Sequence, residues 1–209
     1  MKLYGHPMSS CTRAVLIALG EKNHEAEFVV VELMKGEHKS AAYLSHHPFG
    51  VVPVLEDGAF KLFESRAIVR YLDAKLPGVS LTPTKQEDRA LMEQWASVEQ
   101  SYFSPSTVRI VKEMVHKRMR GQEPDMAVVQ NARGDVESTT DVLDRALAGQ
   151  EFLAGGMFSL ADIAFMPYLG ALVALGQGDI VTSRPNVNAW WNRISARPSW
   201  QAVLAKAVR

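Results

Sequence analysis

The sequence predicts a small α/β domain built on a mixed four-stranded sheet, followed by an all-α domain. Three observations support this. Short β-like runs alternate with helical periods in the first 77 residues, Asp57-Gly58 between two apolar runs predicts a hairpin, and no strand alternation follows. Pro and Gly residues then interrupt the pattern. We therefore place the domains at residues 1–77 and 86–209, with a linker at 78–85.

The elements of the first domain follow from local patterns. Apolar residues at helical spacing between Ser10 and Lys22 predict a helix, and the β-branched run from Phe28 to Val31 predicts a buried strand. Ser65 is of a type that can cap a helix. Strand–helix–strand order implies a parallel pair, to which the hairpin adds antiparallel strands. In order, we expect a strand at 2–5, a helix at 10–22, a strand at 28–31, a hairpin over 53–63 and a helix after Ser65.

The second domain shows only helical periodicity. Pro198 stands where a last short helix would begin, since proline is favoured at the first helical position. The predicted helices span about 85–120, 124–148, 159–175 and 185–197, followed by the one that begins at Pro198.

Composition excludes several classes of protein. The 209 residues carry 23 Lys+Arg and 23 Asp+Glu, so the chain lacks the basic excess of a nucleic-acid binder. A single cysteine, Cys11, excludes a disulfide scaffold and a cysteine-built zinc site, and fits a reducing compartment. The apolar stretch 163–176 is too short to cross a bilayer. We expect a cytoplasmic protein with no metal and with neither nucleic acid nor membrane as a partner.

Polar residues cluster where a loop enters a helix. Ser9 and Ser10 precede the first helix, whose N-terminal N–H groups can stabilise an anion, and a serine hydroxyl there can donate to a thiolate. The alternative is that one of these serines only caps the helix. Glu64 and Ser65 stand at the start of the second predicted helix, where a carboxylate and a hydroxyl could grip an α-amino acid head group. The alternative there is a capped helix with solvated charges.

Two further segments could contact a ligand. Pro53 follows Val52 at the start of a predicted strand, and a cis bond there would expose the Val52 main chain to an extended peptide. A plain strand start is the alternative. His38 and Lys39 lie in the irregular segment after the second strand and could contact a second carboxylate, or simply form a solvated loop.

These clusters occur in an order that resembles the cytosolic glutathione transferases, most closely the phi-like class, over essentially the whole chain. Each stretch is common alone, but together they are specific. The matching stretches are 3–9 (LYGHPMS), 36–39 (GEHK), 48–53 (PFGVVP), 55–58 (LEDG), 62–68 (LFESRAI) and 158–163 (FSLADI). The last one resembles the family's capping box, in which Ser159 and Asp162 would bond reciprocally at a helix start.

The resemblance implies a thioredoxin-like first domain that binds glutathione as a co-substrate, with no cofactor. The protein would transfer the glutathione thiolate to hydrophobic electrophiles, and the resemblance also allows peroxidase activity. Ser9 would be catalytic by donating a hydrogen bond to the sulfur. The glutathione-binding residues would be Val52 and cis-Pro53 for the cysteinyl unit, Glu64 and Ser65 for the γ-glutamyl head group, and His38 and Lys39 for the glycyl carboxylate.

The electrophile would lie between the two domains, by the same resemblance. Candidate residues are Met8 and Met34, whose flexible side chains suit an adaptable wall, and Val111 and Val115 of the first long helix. A role in the protein core is the alternative for each.

The family forms two-fold homodimers. Phe49, Trp95 and Tyr102 are apolar or aromatic residues that one subunit need not bury completely. A monomer that buries these side chains in its own core is the alternative.

Two positions depart from the family pattern. Val51 stands where glutamine is frequent, which removes one polar contact to glutathione, and His47 replaces the usual asparagine. A non-catalytic glutathione- or hydrophobe-binding protein is therefore one alternative function. Thiol–disulfide reduction is another, but Ser9 and Thr12 occupy the two positions that C-x-x-C would fill, and Cys11 falls between them.

Overall fold

The computed structural model describes residues 1–207 and, with their side chains, residues 1–206. Its contacts form two compact units. The first comprises Met1–Ser80 together with the segment from Ala196 onward, and the second is Leu81–Ser195. The last helix is thus grouped with the N-terminal unit, a grouping that the sequence-based division at residues 78–85 does not make.

A four-stranded mixed sheet forms the centre of the first unit, as the sequence predicts. The strand order is β2-β1-β3-β4, where β1 and β2 are parallel and the other pairs are antiparallel. Gly58, at a φ of 63°, begins the two-residue turn between β3 and β4, which confirms the predicted hairpin. The strands are β1 (Lys2–Gly5), β2 (Glu27–Val30), β3 (Val54–Asp57) and β4 (Phe60–Phe63).

The second strand is less buried than the sequence predicts. β2 lies at the edge of the sheet, and Val30 is 44% exposed, whereas Val31, just beyond the strand, is buried. A β-branched run indicates a strand, but its burial depends on how many neighbours that strand has. The prediction that this strand is buried is therefore wrong.

Three helices accompany the sheet in sequence. They are α1 (Ser10–Glu21), the short α2 (Ala41–Leu44), which the sequence analysis did not predict, and α3 (Ser65–Lys75). Between β2 and α2 the chain makes two 3₁₀ turns, Leu33–Lys35 and Glu37–Lys39, on either side of Gly36 at a φ of 74°.

The second unit is helical throughout its regular structure. The predicted helix over 85–120 contains two π-helical segments, Glu99–Phe103 and Lys112–Lys117, that follow α4 and α5 respectively. Trp95 is only 7% exposed, so the expectation that it remains partly unburied is wrong. The helices are α4 (Gln86–Val98), α5 (Ser104–Val111), α6 (Met126–Ala146), α7 (Leu160–Ala174), α8 (Asp179–Thr182) and α9 (Pro185–Ser195).

The last helix, α10 (Pro198–Ala207), packs against α1. Glu21 at the end of α1 accepts two hydrogen bonds from the Arg197 guanidinium, at 2.8 and 2.6 Å, and a third from the Ser199 hydroxyl at 2.5 Å. Charge-assisted bonds of this bidentate kind fix orientation, so the C-terminal helix is held against the first one.

Candidate functional site

Four chain segments leave the sheet at the same end. Gly5 pairs with Val30, Tyr4 pairs with Val54, and Val54 pairs with Phe63. The segments after β1, β2 and β4 and the segment before β3 therefore start from one row of neighbouring residues. Every predicted catalytic or glutathione-binding residue lies on one of these segments: Ser9, His38, Lys39, Val52, Pro53, Glu64 and Ser65.

Ser9 caps helix α1. Its backbone is extended, and its Oγ accepts a hydrogen bond from the Thr12 N–H at 3.3 Å. A hydroxyl can accept and donate at once, and no residue in the described part of the chain accepts the Ser9 proton. The first turn of α1 contains no acidic residue. Capping and donation to an anion are therefore compatible at Ser9.

The peptide bond between Val52 and Pro53 is cis. Val52 packs its side chain into a core cluster with Val31 and Val54. Within residues 1–207, neither the N–H nor the carbonyl of Val52 has a hydrogen-bond partner. The cis bond that the resemblance implies is thus confirmed, whereas the pairing of the Val52 main chain with an extended ligand stays a prediction.

Glu64 adopts a φ of 71° between β4 and α3. Left-handed backbone is costly for a residue with a Cβ, by about 1–3 kcal/mol, and concentrates at functional sites. The helix begins at Ser65, so Glu64 occupies the cap position and the expectation that Ser65 caps α3 is wrong. The Glu64 side chain is exposed. Ser65 is buried, and its hydroxyl has no hydrogen-bond partner among the described residues.

His38 and Lys39 form a 3₁₀ turn against the loop before β3. The Lys39 ammonium donates to the Phe49 carbonyl at 3.0 Å. A Cβ at Gly50 would lie 2.5 Å from the His38 carbonyl oxygen, so this close approach requires glycine. Burial, with the nearby Lys39 charge, lowers the pKa of His38 below its usual value, which favours the neutral ring at pH 7.

Aromatic contacts join the same loop to the end of β4. The ring of His47 lies 4.7 Å from that of Phe63 and 6.1 Å from that of Phe49. Burial is the main cause that lowers the pKa of His47; the Glu64 charge opposes this shift and the Lys39 charge adds to it. The neutral ring accepts a hydrogen bond from the Phe49 N–H at Nδ1, at 3.3 Å. The loop before β3 thus contacts both the 3₁₀ turn that carries Lys39 and the end of β4, next to Glu64.

The four residues predicted to contact the electrophile belong to different units. Met8 and Met34 lie in the first unit and are 60% and 62% exposed. Val111 ends α5 and Val115 lies in the following π-helical segment of the second unit, and both are half-buried. Their shared role stays a prediction.

Two buried polar side chains near the site were missed by the sequence analysis. Arg13, 7% exposed, donates from Nε to the Pro7 carbonyl at 2.8 Å and from Nη2 to the Met8 sulfur at 3.3 Å. Tyr43, 4% exposed, donates to the Val51 carbonyl at 2.9 Å. The position of Arg13 among the apolar residues of α1 could have indicated a buried arginine. The sequence around Tyr43 gave no comparable indication that its hydroxyl is bonded to the loop.

Among the described residues, no group of three or more His, Cys, Asp or Glu side chains could hold a metal ion. Within residues 1–207, no helix combines the length and the apolar character needed to cross a membrane.

Comparisons with known proteins give a consistent result. The family model "Glutathione S-transferase, N-terminal domain" matches residues 1–74, and "Glutathione S-transferase, C-terminal domain" matches residues 100–198. A glutathione S-transferase of Silene vulgaris is 39% identical over 98% of this chain and 97% of its own length. Glutathione S-transferase F9 of Arabidopsis thaliana is 37% identical over 99% of this chain and 97% of its own.

Solved structures are similar over the same extent. Glutathione transferase F7 from Populus trichocarpa superposes with a TM-score of 0.94 at 36% identity, covering 99% of this chain and 98% of its own. Glutathione S-transferase I from mais, solved with an atrazine glutathione conjugate, has a TM-score of 0.91 at 32% identity, with coverage of 99% and 97%.

Proposed function

Because the chain belongs to the glutathione S-transferase family and is a glutathione transferase, we propose that the Ser9 hydroxyl activates the glutathione thiol for attack on hydrophobic electrophiles. The observation that carries this proposal is the geometry of Ser9. Its oxygen is used as the cap of α1, while its proton has no acceptor in the described chain. A sulfur placed beside Ser9 would receive that proton as a hydrogen bond.

The energy of such a bond is sufficient for activation. A free thiol has a pKa of about 8.5, so only a few per cent is thiolate at neutral pH. Lowering that pKa by about two units requires ~2.7 kcal/mol of preferential thiolate stabilisation. A hydroxyl bonded to a charged acceptor contributes ~1.5–3 kcal/mol, and a helix N-terminus adds ~0.3–1 kcal/mol. The thiol proton passes to solvent, so no separate base is needed. The thiolate then attacks an electrophilic carbon and displaces its leaving group, or attacks a peroxide oxygen, which cleaves the O–O bond, leaves glutathione sulfenic acid and releases an alkoxide that takes a proton from water.

The remaining junctions would hold the rest of the tripeptide. The exposed Glu64 carboxylate would pair with the γ-glutamyl ammonium, while the Ser65 hydroxyl and the N-terminal N–H groups of α3 would receive the γ-glutamyl carboxylate. Val52 would pair its main chain with the cysteinyl unit. His38, which is neutral at pH 7, would donate one N–H to the glycyl carboxylate, and the Lys39 ammonium would supply its charge.

Further attributes accompany this proposal. We place the chain in the phi-like class, as a cytoplasmic homodimer that needs no cofactor. Phe49 and Tyr102, which are 69% and 64% exposed, remain candidates for a two-fold interface. The thiol–disulfide alternative lacks support at Ser9 and Thr12, because neither carries a thiol. The carrier alternative is tested by the experiment below.

The decisive experiment is a conjugation assay with a general aryl halide on the wild type, Ser9→Ala and Ser9→Gly. Loss of the hydrogen bond to the thiolate should lower kcat/KM at pH 6.5 by about 10- to 100-fold. It should also move the pH at which the rate reaches its plateau upward by one to two units, because the bound thiol then ionises less readily. A wild type that binds glutathione but does not conjugate would support the carrier alternative.

Control variants separate chemistry from capping. Ser9→Ala also removes a helix cap, which costs about 0.5–2 kcal/mol, whereas Ser9→Gly loses only a few tenths. Asp125 caps α6 through bonds to the N–H groups of Ala127 and Val128, so Asp125→Ala removes a comparable cap in the other unit. Asp125→Ala should keep full activity. Full activity in both Ser9 variants would contradict the assignment of Ser9.

A further inference from the structure

The ring of Tyr43 passes beneath the loop before β3. Tyr43 belongs to α2, and its side chain packs with Val31, Val52 and Val54 in one core cluster. Its hydroxyl donates to the Val51 carbonyl at 2.9 Å, although the Val51 side chain itself is 45% exposed. The Val51 carbonyl is therefore bonded to a side chain of the core cluster, although the Val51 side chain is not part of that cluster.

The same peptide group carries the N–H of Val52. In a planar trans peptide, the carbonyl of one residue and the N–H of the next point in opposite directions. A hydroxyl that holds the Val51 carbonyl toward the core therefore directs the Val52 N–H away from it. That N–H has no partner within residues 1–207.

The donor role of Tyr43 does not change with pH near neutrality. Burial raises the pKa of Tyr43 to about 12, with a smaller contribution from the Glu37 charge. The hydroxyl thus keeps its proton, and the Val51 carbonyl keeps its bond, over the whole range in which a thiolate would form.

The neighbouring hydrogen bonds of the loop do not involve the peptide group between Val51 and Val52. The Lys39 ammonium holds the Phe49 carbonyl, and the Gly50 N–H bonds to the His47 carbonyl at 2.9 Å. Both bonds act on the loop before Val51. In the described chain, the Tyr43 hydroxyl is the hydrogen-bonding group that holds the peptide between Val51 and Val52.

We propose that Tyr43 is a positioning residue for glutathione, which holds the Val51 carbonyl so that the Val52 N–H is aimed at the cysteinyl carbonyl of the tripeptide. This inference rests on the proposed function. It assigns Tyr43 no contact with glutathione, and its effect is exerted through the main chain of the loop.

The test is Tyr43→Phe, which keeps the ring and removes the hydroxyl. The KM for glutathione should rise about three- to tenfold, as expected for one lost buried hydrogen bond, while kcat at saturating glutathione and the KM for the aryl halide stay within twofold. The plateau of the pH–rate profile should not move, because Ser9 is unchanged. An unchanged KM for glutathione would overturn the proposal.

Tyr71→Phe is the matched control. The Tyr71 hydroxyl donates to Asp57 at 2.6 Å beside the hairpin turn, so this variant loses a similar bond outside the loop. It should leave the KM for glutathione unchanged. An equal rise in both variants, or an equal rise for both substrates, would show a general loosening of the fold and overturn the proposal.

A measurement on the unaltered protein covers the case in which Tyr43→Phe does not fold. Amide hydrogen exchange at Val52 should slow at saturating glutathione, and an unprotected amide would overturn the inference. The two proposals fail separately. Full activity in Ser9→Ala contradicts the proposed function, whereas an active wild type with normal kinetics in Tyr43→Phe contradicts only the role of Tyr43.

Discussion

Ser9 and Ser159 are both serines that cap a helix, one in each unit, yet their hydroxyls are used differently. The Ser9 oxygen accepts from the Thr12 N–H, and its proton has no acceptor in the described chain. The Ser159 oxygen accepts from the Ala161 N–H at 3.3 Å, while its proton goes to Asp162 at 3.0 Å. Ser9 is half-buried, and Ser159 is fully buried.

Asp162 completes the second cap. Its carboxylate also accepts from the main-chain N–H groups of Ser159 and Leu153, at 2.8 and 3.1 Å, and from the Trp190 indole N–H at 2.9 Å. This confirms the predicted capping box. The comparison teaches that a serine at a helix start serves stability when a neighbour takes its proton, and is available for chemistry when none does.

The largest expected effect comes from removing Asp162. Asp162→Ala leaves the buried N–H groups of Leu153, Ser159 and Trp190 without an acceptor. The free energy of unfolding, measured by guanidinium chloride denaturation, should therefore fall by about 3–5 kcal/mol. Ser159→Ala should lose less, about 1–2 kcal/mol, and the remaining folded enzyme should keep its kcat. A loss below about 1 kcal/mol for Asp162→Ala would mean that the cap of α7 contributes no more stability than an ordinary single-residue helix cap does.

An intermediate effect is expected at Glu64, a third helix start, where the backbone is strained. Glu64→Gly relieves the left-handed backbone and should raise the free energy of unfolding by about 0.5–1 kcal/mol. It should also raise the KM for glutathione severalfold, because it removes the carboxylate that we propose to pair with the γ-glutamyl ammonium. Thermal unfolding and steady-state kinetics on the same preparation check both effects.

Two variants control this prediction. Glu64→Ala should raise the KM for glutathione, and that of the electrophile much less, without the gain in stability. Asn23 is the other non-glycine residue in residues 1–207 with a positive φ, 49°. Asn23→Gly should change stability less, since asparagine tolerates this backbone, and should leave the KM unchanged. Equal KM effects on both substrates in Glu64→Ala would indicate a disturbed fold.

The smallest effect concerns pH and the loop that holds Val52. His47 is buried and neutral, with its pKa lowered below the usual 6.5, chiefly by burial. As the pH falls through 6.5, the His47 side chain takes up a proton in the unfolded chain before it does so in the folded chain. The folded state is therefore less stable relative to the unfolded state below pH 6.5 than above it. Between pH 7.5 and 5.5, His47→Asn should therefore lose less unfolding free energy than the wild type does, by an amount smaller than the effect expected at Glu64. Identical losses of unfolding free energy in the wild type and in His47→Asn would contradict the assignment of this pH dependence to His47.

Local features of the fold were predictable from the sequence, because neighbours along the chain determine them. The hairpin followed from Asp57-Gly58, and the capping box from the spacing of Ser159 and Asp162. The burial of β2 and of Trp95 was predicted wrongly, because both depend on which elements pack beside them. Periodicity also did not show the two π-helical segments, since it cannot distinguish a small change in helical winding.

The motifs that carry the candidate residues were visible in the sequence, but the contacts that hold those residues in place were not, and the residues' roles stay predictions. The helix starts and the proline at position 53 were visible as motifs, and the resemblance supplied their order. The sheet register that gathers them at one end, and the left-handed backbone of Glu64, exist only in three dimensions. The bond from Tyr43 to Val51 spans eight residues with no repeating pattern, so no sequence signal indicated it.

The packing of α10 against α1 has a consequence for the order in which the molecule is made. Glu21 is synthesised 176 residues before its partner Arg197 and 178 residues before Ser199. The sheet and α1 must wait through the synthesis of the whole helical unit before this contact can close. A nascent chain therefore carries an N-terminal unit without its last helix until Arg197 and Ser199 have been made.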